Sequence, residues 1–387
     1  MQRAIDNSQL LVMSIYVYRL DCVEGVRPGI RFGEAAESME NALIERQVER
    51  GEGPNDNVSQ LMTYREWFSV LAGIRATPAL ADLRVDAVSI DEKRSKALLL
   101  SDDDGNAFAV FSGSGAGEWE DNAIAAYERE SAQQLGALAW LLHETAGKGY
   151  RSVTACGHSK GGNKAFYLAV RASDIVDRAV GFDAQGFSRA FVQAYGDDIL
   201  ANTQKITSYA LDNDYVNGLL ASIALPSRRI YLDGSHISNP VAYHSPYSLF
   251  VPYHGSSGTV LELGGTVPQG SFGRAFREFS AFVTDRASES EYRDMCRCIG
   301  FAMENILVPN ATDTDRANRA VEIATSEGFG VLVSYLGQFF AETVQGVGIN
   351  EIIAFLLPSG KQGNTVLDDL AIGALRTASG ILKRLTR

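Results

Sequence analysis

The chain has 387 residues, 45% hydrophobic and 21% charged, which is enough apolar content to bury a substantial core in one large domain or two to three smaller ones. Asp plus Glu outnumber Lys plus Arg by 47 to 35, and the net charge of −12 opposes binding to nucleic acid phosphates or anionic membrane surfaces. Four cysteines, Cys22, Cys156, Cys296 and Cys298, are too few and too irregularly spaced for a disulfide framework or a zinc site.

The apolar run Leu10 to Val17 is preceded by little positive charge and followed by no small-residue cleavage site, so no signal peptide is read there. Leu219 to Leu225 and Ile352 to Leu357 are far shorter than the roughly 20 residues of a membrane-spanning helix. The expectation is a cytoplasmic protein without an integral membrane segment.

Residues 1–80 read as a helical flank, with helical spacing in Asn41 to Val48 and Tyr64 to Ile74 on either side of the turn-prone Gly51-Glu52-Gly53-Pro54-Asn55. Strand character begins at Val85 to Ile90, Ala97 to Leu100 and Ala107 to Phe111, with Asp104-Gly105 as a hairpin turn. Trp119 to Thr145 reads as one long helix ended by Gly147 and Gly149. Strands at Ser152 to Cys156, Ala179 to Phe182, Ile206 to Leu211 and Arg229 to Leu232 then alternate with helices at Gly161 to Ala172 and Ser188 to Leu200. That alternation predicts an α/β fold with a mainly parallel sheet covered on both faces, occupying residues 81–265. Residues 266–387 read as a C-terminal helical region, with helices at Phe272 to Leu307, Thr314 to Val344 and Leu367 to Leu385. The stripe Phe272, Phe276, Phe279 and Phe282 lies at helical spacing, a pattern more often packed core than acyl-chain groove.

Chemistry concentrates at Gly157-His158-Ser159-Lys160-Gly161. With 37 glycines in the chain, a G-x-S-x-G pattern arises by chance about 0.3 times, so the five residues alone carry little. Their setting carries more: the motif follows the strand Val153 to Cys156 and precedes a helix, the strand–turn–helix context of a nucleophile elbow. In such a turn the residues two before and two after the serine must lack a Cβ, which Gly157 and Gly161 satisfy, while Gly162 lets the helix approach a strand closely. The alternative is a tight βα turn in which Ser159 merely caps the helix.

A serine nucleophile needs a base, and the base needs an orienting acid. Of five histidines, His143 precedes the motif in a helix and His158 lies inside the elbow pointing away from Ser159, which leaves His236, His244 and His254. The strand Ile206 to Leu211 ends at Asp212-Asn213-Asp214, where Asp214 is the preferred acid and Asp212 and Asp183 are substitutes. For the oxyanion, the Lys160 N–H is one donor, and the glycine-rich Phe111-Ser112-Gly113-Ser114-Gly115 offers Ser114 as the second.

Taken in order, these motifs resemble the lipase class 3 family, the fungal-type triacylglycerol lipases of the α/β-hydrolase superfamily, and its uncharacterised bacterial relatives. Phe111-Ser112-Gly113-Ser114 is similar to the family's F-R-G-T oxyanion segment, Trp119-Glu120-Asp121 to its W-x-D, and Gly157 to Gly162 to G-H-S-x-G-G. Asp214-Tyr215-Val216 is similar to the D-x-V segment of the catalytic acid, and the resemblance assigns the base to His244 in Tyr243-His244-Ser245-Pro246. It spans residues 85–250 and implies a serine hydrolase acting on a small-molecule or lipid ester through Ser159, Asp214 and His244, with no cofactor or metal. A thioesterase, amidase or acyltransferase on the same triad, or a binding module on the same fold, are the alternatives. Ser112 and Ser114 depart from the family's Arg and Thr. Lys160 stands where lipases often carry Leu, which implies a charge near the site mouth and argues against long apolar acyl chains. Oligomeric state is not readable from the sequence.

Overall fold

The structure, a computed structural model, describes residues 4–22, 25–91, 95–115, 117–238, 240–251, 261–306 and 322–343. The elements in chain order are α1 (Asn7–Tyr16), α2 (Phe32–Arg50), a small hairpin β1 (Asn57–Ser59) and β2 (Met62–Thr63), α3 (Tyr64–Ala76), α4 (Pro78–Ala81), β3 (Arg84–Ile90), β4 (Lys96–Ser101) and β5 (Asn106–Phe111). They continue with α5 (Trp119–Tyr127), α6 (Ala132–Thr145), β6 (Ser152–His158), α7 (Lys160–Arg171), β7 (Arg178–Phe182), α8 (Arg189–Ala194), α9 (Gly196–Asn202), β8 (Ile206–Leu211) and β9 (Arg229–Leu232). A short β10 (Thr266–Val267), α10 (Ser271–Arg286), α11 (Glu289–Ile306) and α12 (Glu327–Thr343) complete the described residues.

Strands β3 to β10 form an eight-stranded sheet in strictly sequential order, parallel from β5 to β9 and antiparallel at both edges. Sequential order has a consequence for the layers. Right-handed crossovers that always step in one direction deposit their helices on one face, and α6, α7, α8 and α9 indeed share one apolar cluster with Leu99, Ala109, Phe111 and Ala155. The opposite face, carrying Leu98, Leu100, Val110, Cys156 and Val180, therefore needs another cover, and residues of α1, α2 and α3 supply it. Alternate residues of one strand point to opposite faces, so Leu98 and Leu100 belong to one cluster and Leu99 to the other.

Helix α1 is thus core. Leu10, Leu11, Met13, Ile15 and Tyr16 are all fully buried, each burial contributing about 1.5–3 kcal/mol as an upper figure. Its start is fixed by a capping box between Asp6 and Gln9, and Tyr16 reaches across to donate to the Ala35 carbonyl at 2.9 Å. The sequence-predicted flank is the sheet's second layer.

Four predicted helices are interrupted, among them Thr314 to Val344, whose described part is broken at Ser326. The Trp119 to Thr145 stretch breaks into α5 and α6 because Glu128 turns extended and Ser131 opens a new helix with a Ser131–Gln134 capping box. Ser188 to Leu200 is divided at Tyr195, and Phe272 to Leu307 at Ala287, where the backbone is extended. The predicted helix at Leu367 to Leu385 lies outside the described residues. Among the described residues no helix is long and apolar enough to cross a membrane. The phenylalanine stripe on α10 is packed: Phe279 and Phe282 each lie with ring centroids 5.4 Å from Phe339 of α12.

Parallel strands that end together align the loops after β5, β6, β7, β8 and β9 along one rim. The register pairs Phe111 with Gly157, His158 with Phe182, Phe182 with Tyr209 and Leu211 with Leu232. Such a carboxyl-end rim is where open α/β sheets bind ligands.

Candidate active site

Ser159 sits between β6 and α7 with φ 56° and ψ −125°, a conformation strained for any residue with a Cβ. The turn closes only because its neighbours are glycines. A Cβ on Gly161 would lie 2.1 Å from the Phe111 carbonyl oxygen, and one on Gly157 would lie 2.4 Å from the Gly161 carbonyl carbon. The Ser159 N–H donates to the Phe182 carbonyl at 2.8 Å, tying the turn to the neighbouring strand.

His244 closes a short helical turn, Pro240–His244, after β9. Its Nδ1 is 2.9 Å from Asp214 Oδ2 and its Nε2 is 2.9 Å from Ser159 Oγ. A carboxylate can only accept, so Nδ1 carries the proton and Nε2 accepts from the serine hydroxyl. Asp214 is held in turn: its Oδ1 accepts from the Asn217 N–H at 2.6 Å, and the residue is buried. Of the other candidates, His236 is exposed on the turn after β9, His143 is exposed on α6, and His254 lies outside the described residues. Asp212 is engaged elsewhere, accepting from the Gly234 N–H at 3.1 Å and from Asn213. The structure therefore brings Ser159, Asp214 and His244 together and engages Asp212 elsewhere, while Asp183 lies beside His158 with a carboxylate oxygen within 4.8 Å of a His244 nitrogen.

Beneath them lies a second pair. His158, fully buried, faces Tyr18 Oη at 2.8 Å through Nδ1 and Asp183 Oδ2 at 3.8 Å through Nε2, and its ring is tilted over His244 with centroids 4.8 Å apart. Burial, then the nearby His244, holds the His158 imidazole well below its ordinary range. Burial also drives the Asp183 carboxyl well above its ordinary range, with the Asp214 charge adding to the effect. Asp183 Oδ1 accepts from the Leu211 N–H at 2.9 Å. Gly113 packs against this group so closely that a Cβ there would meet Tyr18 Oη at 2.1 Å and the His158 carbonyl at 2.8 Å.

Because Asp183 keeps its proton to higher pH when folded than the ordinary 3.8 of an unfolded carboxyl, its contribution to stability falls as pH rises from about 4 toward the folded value. Asp183→Asn, a neutral isostere able to keep the Leu211 bond, is expected to gain stability relative to the natural chain between about pH 5 and about pH 8. Urea unfolding midpoints at both pH values check this. A constant difference would show that the carboxyl is already ionised throughout.

Among the described residues, His158, Asp183 and His244 are the potential metal ligands whose donor atoms come within 4.8 Å of one another. A zinc ion needs lone pairs converging at about 2.0–2.1 Å. Here the two imidazoles are tilted at 36° with centroids 4.8 Å apart, and both His244 nitrogens are engaged by Asp214 and Ser159. With His244 so engaged, the cluster does not offer a metal ion three free converging donors.

On the opposite side of Ser159 stand the expected oxyanion residues. Lys160 is the first residue of α7, where main-chain N–H groups point out of the helix end. Ser114 lies on the loop after β5, and its Oγ accepts from Asn122 Nδ2 at 2.5 Å. Ser112 fastens the loop: its Oγ accepts from the Lys96 N–H at 3.0 Å and its carbonyl from Lys164 Nζ at 3.2 Å. The Lys160 side chain overturns one expectation. It is fully buried with Nζ 3.5 Å from Asp121 Oδ2, so it places no charge at the site mouth, and the argument against long acyl chains falls with it.

Sequence reasoning missed Tyr18, Glu118, Asn122 and Glu304, and noted Asp121 only as part of the W-x-D resemblance, without a role. Glu118 is buried and accepts from the Gly115 N–H at 2.5 Å and from Gln133 Nε2 at 2.8 Å, and burial raises its carboxyl above the ordinary range. Glu304 of α11 accepts from the Gly117 N–H at 2.5 Å and the Trp119 N–H at 3.2 Å. Beyond the W-x-D resemblance, the signal in this segment was the crowding of acids around the first turn of α5, a pattern that ordinarily marks a solvated helix start.

Residues 93–240 match the protein family described as Mbeg1-like, a span that includes Ser159 and Asp214 and ends four residues before His244. No curated protein matches the chain. The match covers well under half of the 387 residues, and in its matched part the chain is similar to that family.

Proposed function

We propose that the chain is a serine hydrolase of the α/β-hydrolase type, resembling the lipase class 3 family, that cleaves a carboxylic ester through an acyl-enzyme. Ser159 attacks the ester carbonyl, and His244 takes its proton and delivers it to the leaving alcohol. Asp214 holds the imidazole in the tautomer that accepts from the serine. The N–H groups of Lys160 and Ser114 bind the oxyanion. Water then repeats the sequence on the acyl-enzyme with His244 as base. No step calls for a cofactor or metal.

The observation that carries this reading is His244, which spans Ser159 Oγ and Asp214 Oδ2 with two 2.9 Å contacts at the carboxyl ends of the parallel strands. A serine that only capped a helix would have no reason to meet a carboxylate-oriented imidazole. A fluorophosphonate probe is expected to label the natural chain on Ser159 and to leave Ser159→Ala unlabelled. Failure to label the natural chain would overturn the proposal. Substrate panels of esters, thioesters and amides with short and long acyl groups separate esterase from thioesterase and amidase chemistry, and product analysis with and without an added alcohol or amine acceptor separates hydrolysis from acyl transfer.

A further inference from the structure

The two residues whose N–H groups are assigned to the oxyanion are each gripped by a side chain from the first turn of α5. Asn122 donates to Ser114 Oγ, and the neighbouring Asp121 pairs with Lys160 Nζ. All but Ser114 are buried. Resting on the serine-hydrolase reading, we propose that Asp121 and Asn122 are positioning residues, a clamp through which one helix turn fixes the spacing of the Lys160 and Ser114 N–H groups around the oxyanion.

The clamp is itself braced. Asp121 Oδ1 accepts from the Gln133 N–H of α6 at 3.1 Å, Glu118 accepts from Gly115 and Gln133, and Glu304 of α11 accepts from the N–H groups of Gly117 and Trp119. A lysine normally extends its ammonium to water and buries only its stem. Lys160 does not, and an apolar side chain would fill the same space without the cost of desolvating two charges. What the ion pair adds is a pairwise attraction between the elbow and α5, which apolar packing would not supply.

The tether is titratable, and its two consequences have opposite signs. Burial pulls the Lys160 ammonium down to about 8 against the raising effect of Asp121. The groups facing it are Asp121 on α5, Glu118 just before α5, and Lys164 one turn further along α7. Between about 8 and the ordinary 10.5 the unfolded chain binds more protons than the folded one, so the contribution of Lys160 to stability rises with pH. The clamp, in contrast, opens once the ammonium is neutral. A purely structural lysine gives no loss of activity over this window, whereas a clamp gives falling kcat while stability rises.

The test measures kcat and KM for a short acyl ester, fluorophosphonate labelling to completion, and urea midpoints across this pH range. Asp121→Asn and Asn122→Leu are each expected to lower kcat about 10- to 100-fold with KM within about twofold, while Ser159 still labels fully. The alkaline fall in kcat of the natural chain is expected to vanish in Lys160→Met, or, should that variant leave Asp121 too costly to bury, in Lys160→Met combined with Asp121→Leu. Turnover within about twofold of the natural chain in both single variants, or an alkaline limb that persists without Lys160, overturns the clamp. A natural chain that does not label at all overturns the hydrolase reading instead, so the two failures are distinguishable.

Discussion

Replacing His244 with Ala is expected to lower ester turnover by about 10⁴- to 10⁶-fold, and the Ser159→Ala/His244→Ala double variant to be no slower than the worse single one. Non-additivity follows from the geometry: the imidazole touches both the nucleophile and the acid, so once either end is lost the remaining parts have nothing to act through. Asp214→Asn is expected to cost about 10⁴-fold by a different route. An amide donates to Nδ1 as readily as it accepts, which favours the tautomer whose Nε2 carries the proton and cannot accept from Ser159. Single-turnover kinetics on a chromogenic ester, with urea midpoints to verify folding, read both effects. Multiplicative losses in the double variant would mean that the two residues act separately and that the triad is misassigned.

The components of that triad were legible in the sequence to different depths. Ser159 was marked by two glycines whose necessity is now visible as sub-van-der-Waals approaches to Phe111 and Gly161. Asp214 was marked by its place at the end of Ile206 to Leu211, a strand whose bounds matched the prediction. The proposed base is harder to read, because three histidines follow the proposed acid and the turn that carries His244 is not marked by its own residues. Residues alone left His236, His244 and His254 open, and the family resemblance chose among them.

What the sequence hid falls into two kinds. The breaks at Glu128, Tyr195 and Ala287 were written locally, most plainly in the Ser131–Gln134 capping box, but apolar periodicity continued across them and concealed the interruption. The burial of α1 and of the Lys160, Lys164, Glu118 and Asp121 cluster was not written locally at all. A run of apolar residues does not say which face of which sheet it covers until strand order is known. A charged residue reads as a solvated one until its partner is found far along the chain.

The elbow makes a second large effect predictable, because it sets one glycine apart from another. Gly161→Ala would place a Cβ 2.1 Å from the Phe111 carbonyl oxygen, a main-chain atom of a central strand that cannot swing aside. The strand or α7 must shift, at a cost of about 3 kcal/mol or more, and the shift displaces the Lys160 N–H by the same movement. Loss of a large part of total stability together with loss of fluorophosphonate reactivity is therefore expected. Gly136, in the middle of α6 and with no neighbouring atom within 4 Å of where an added Cβ would lie, supplies the contrast. There Ala removes backbone freedom from the unfolded chain and strains nothing in the folded one, so Gly136→Ala is expected to gain about 0.5–1 kcal/mol with activity unchanged. Denaturant midpoints of the two variants should thus move in opposite directions. If Gly161→Ala proved as benign as Gly136→Ala, the close approach between α7 and β5 that holds Ser159 in its strained turn would have to be wrong.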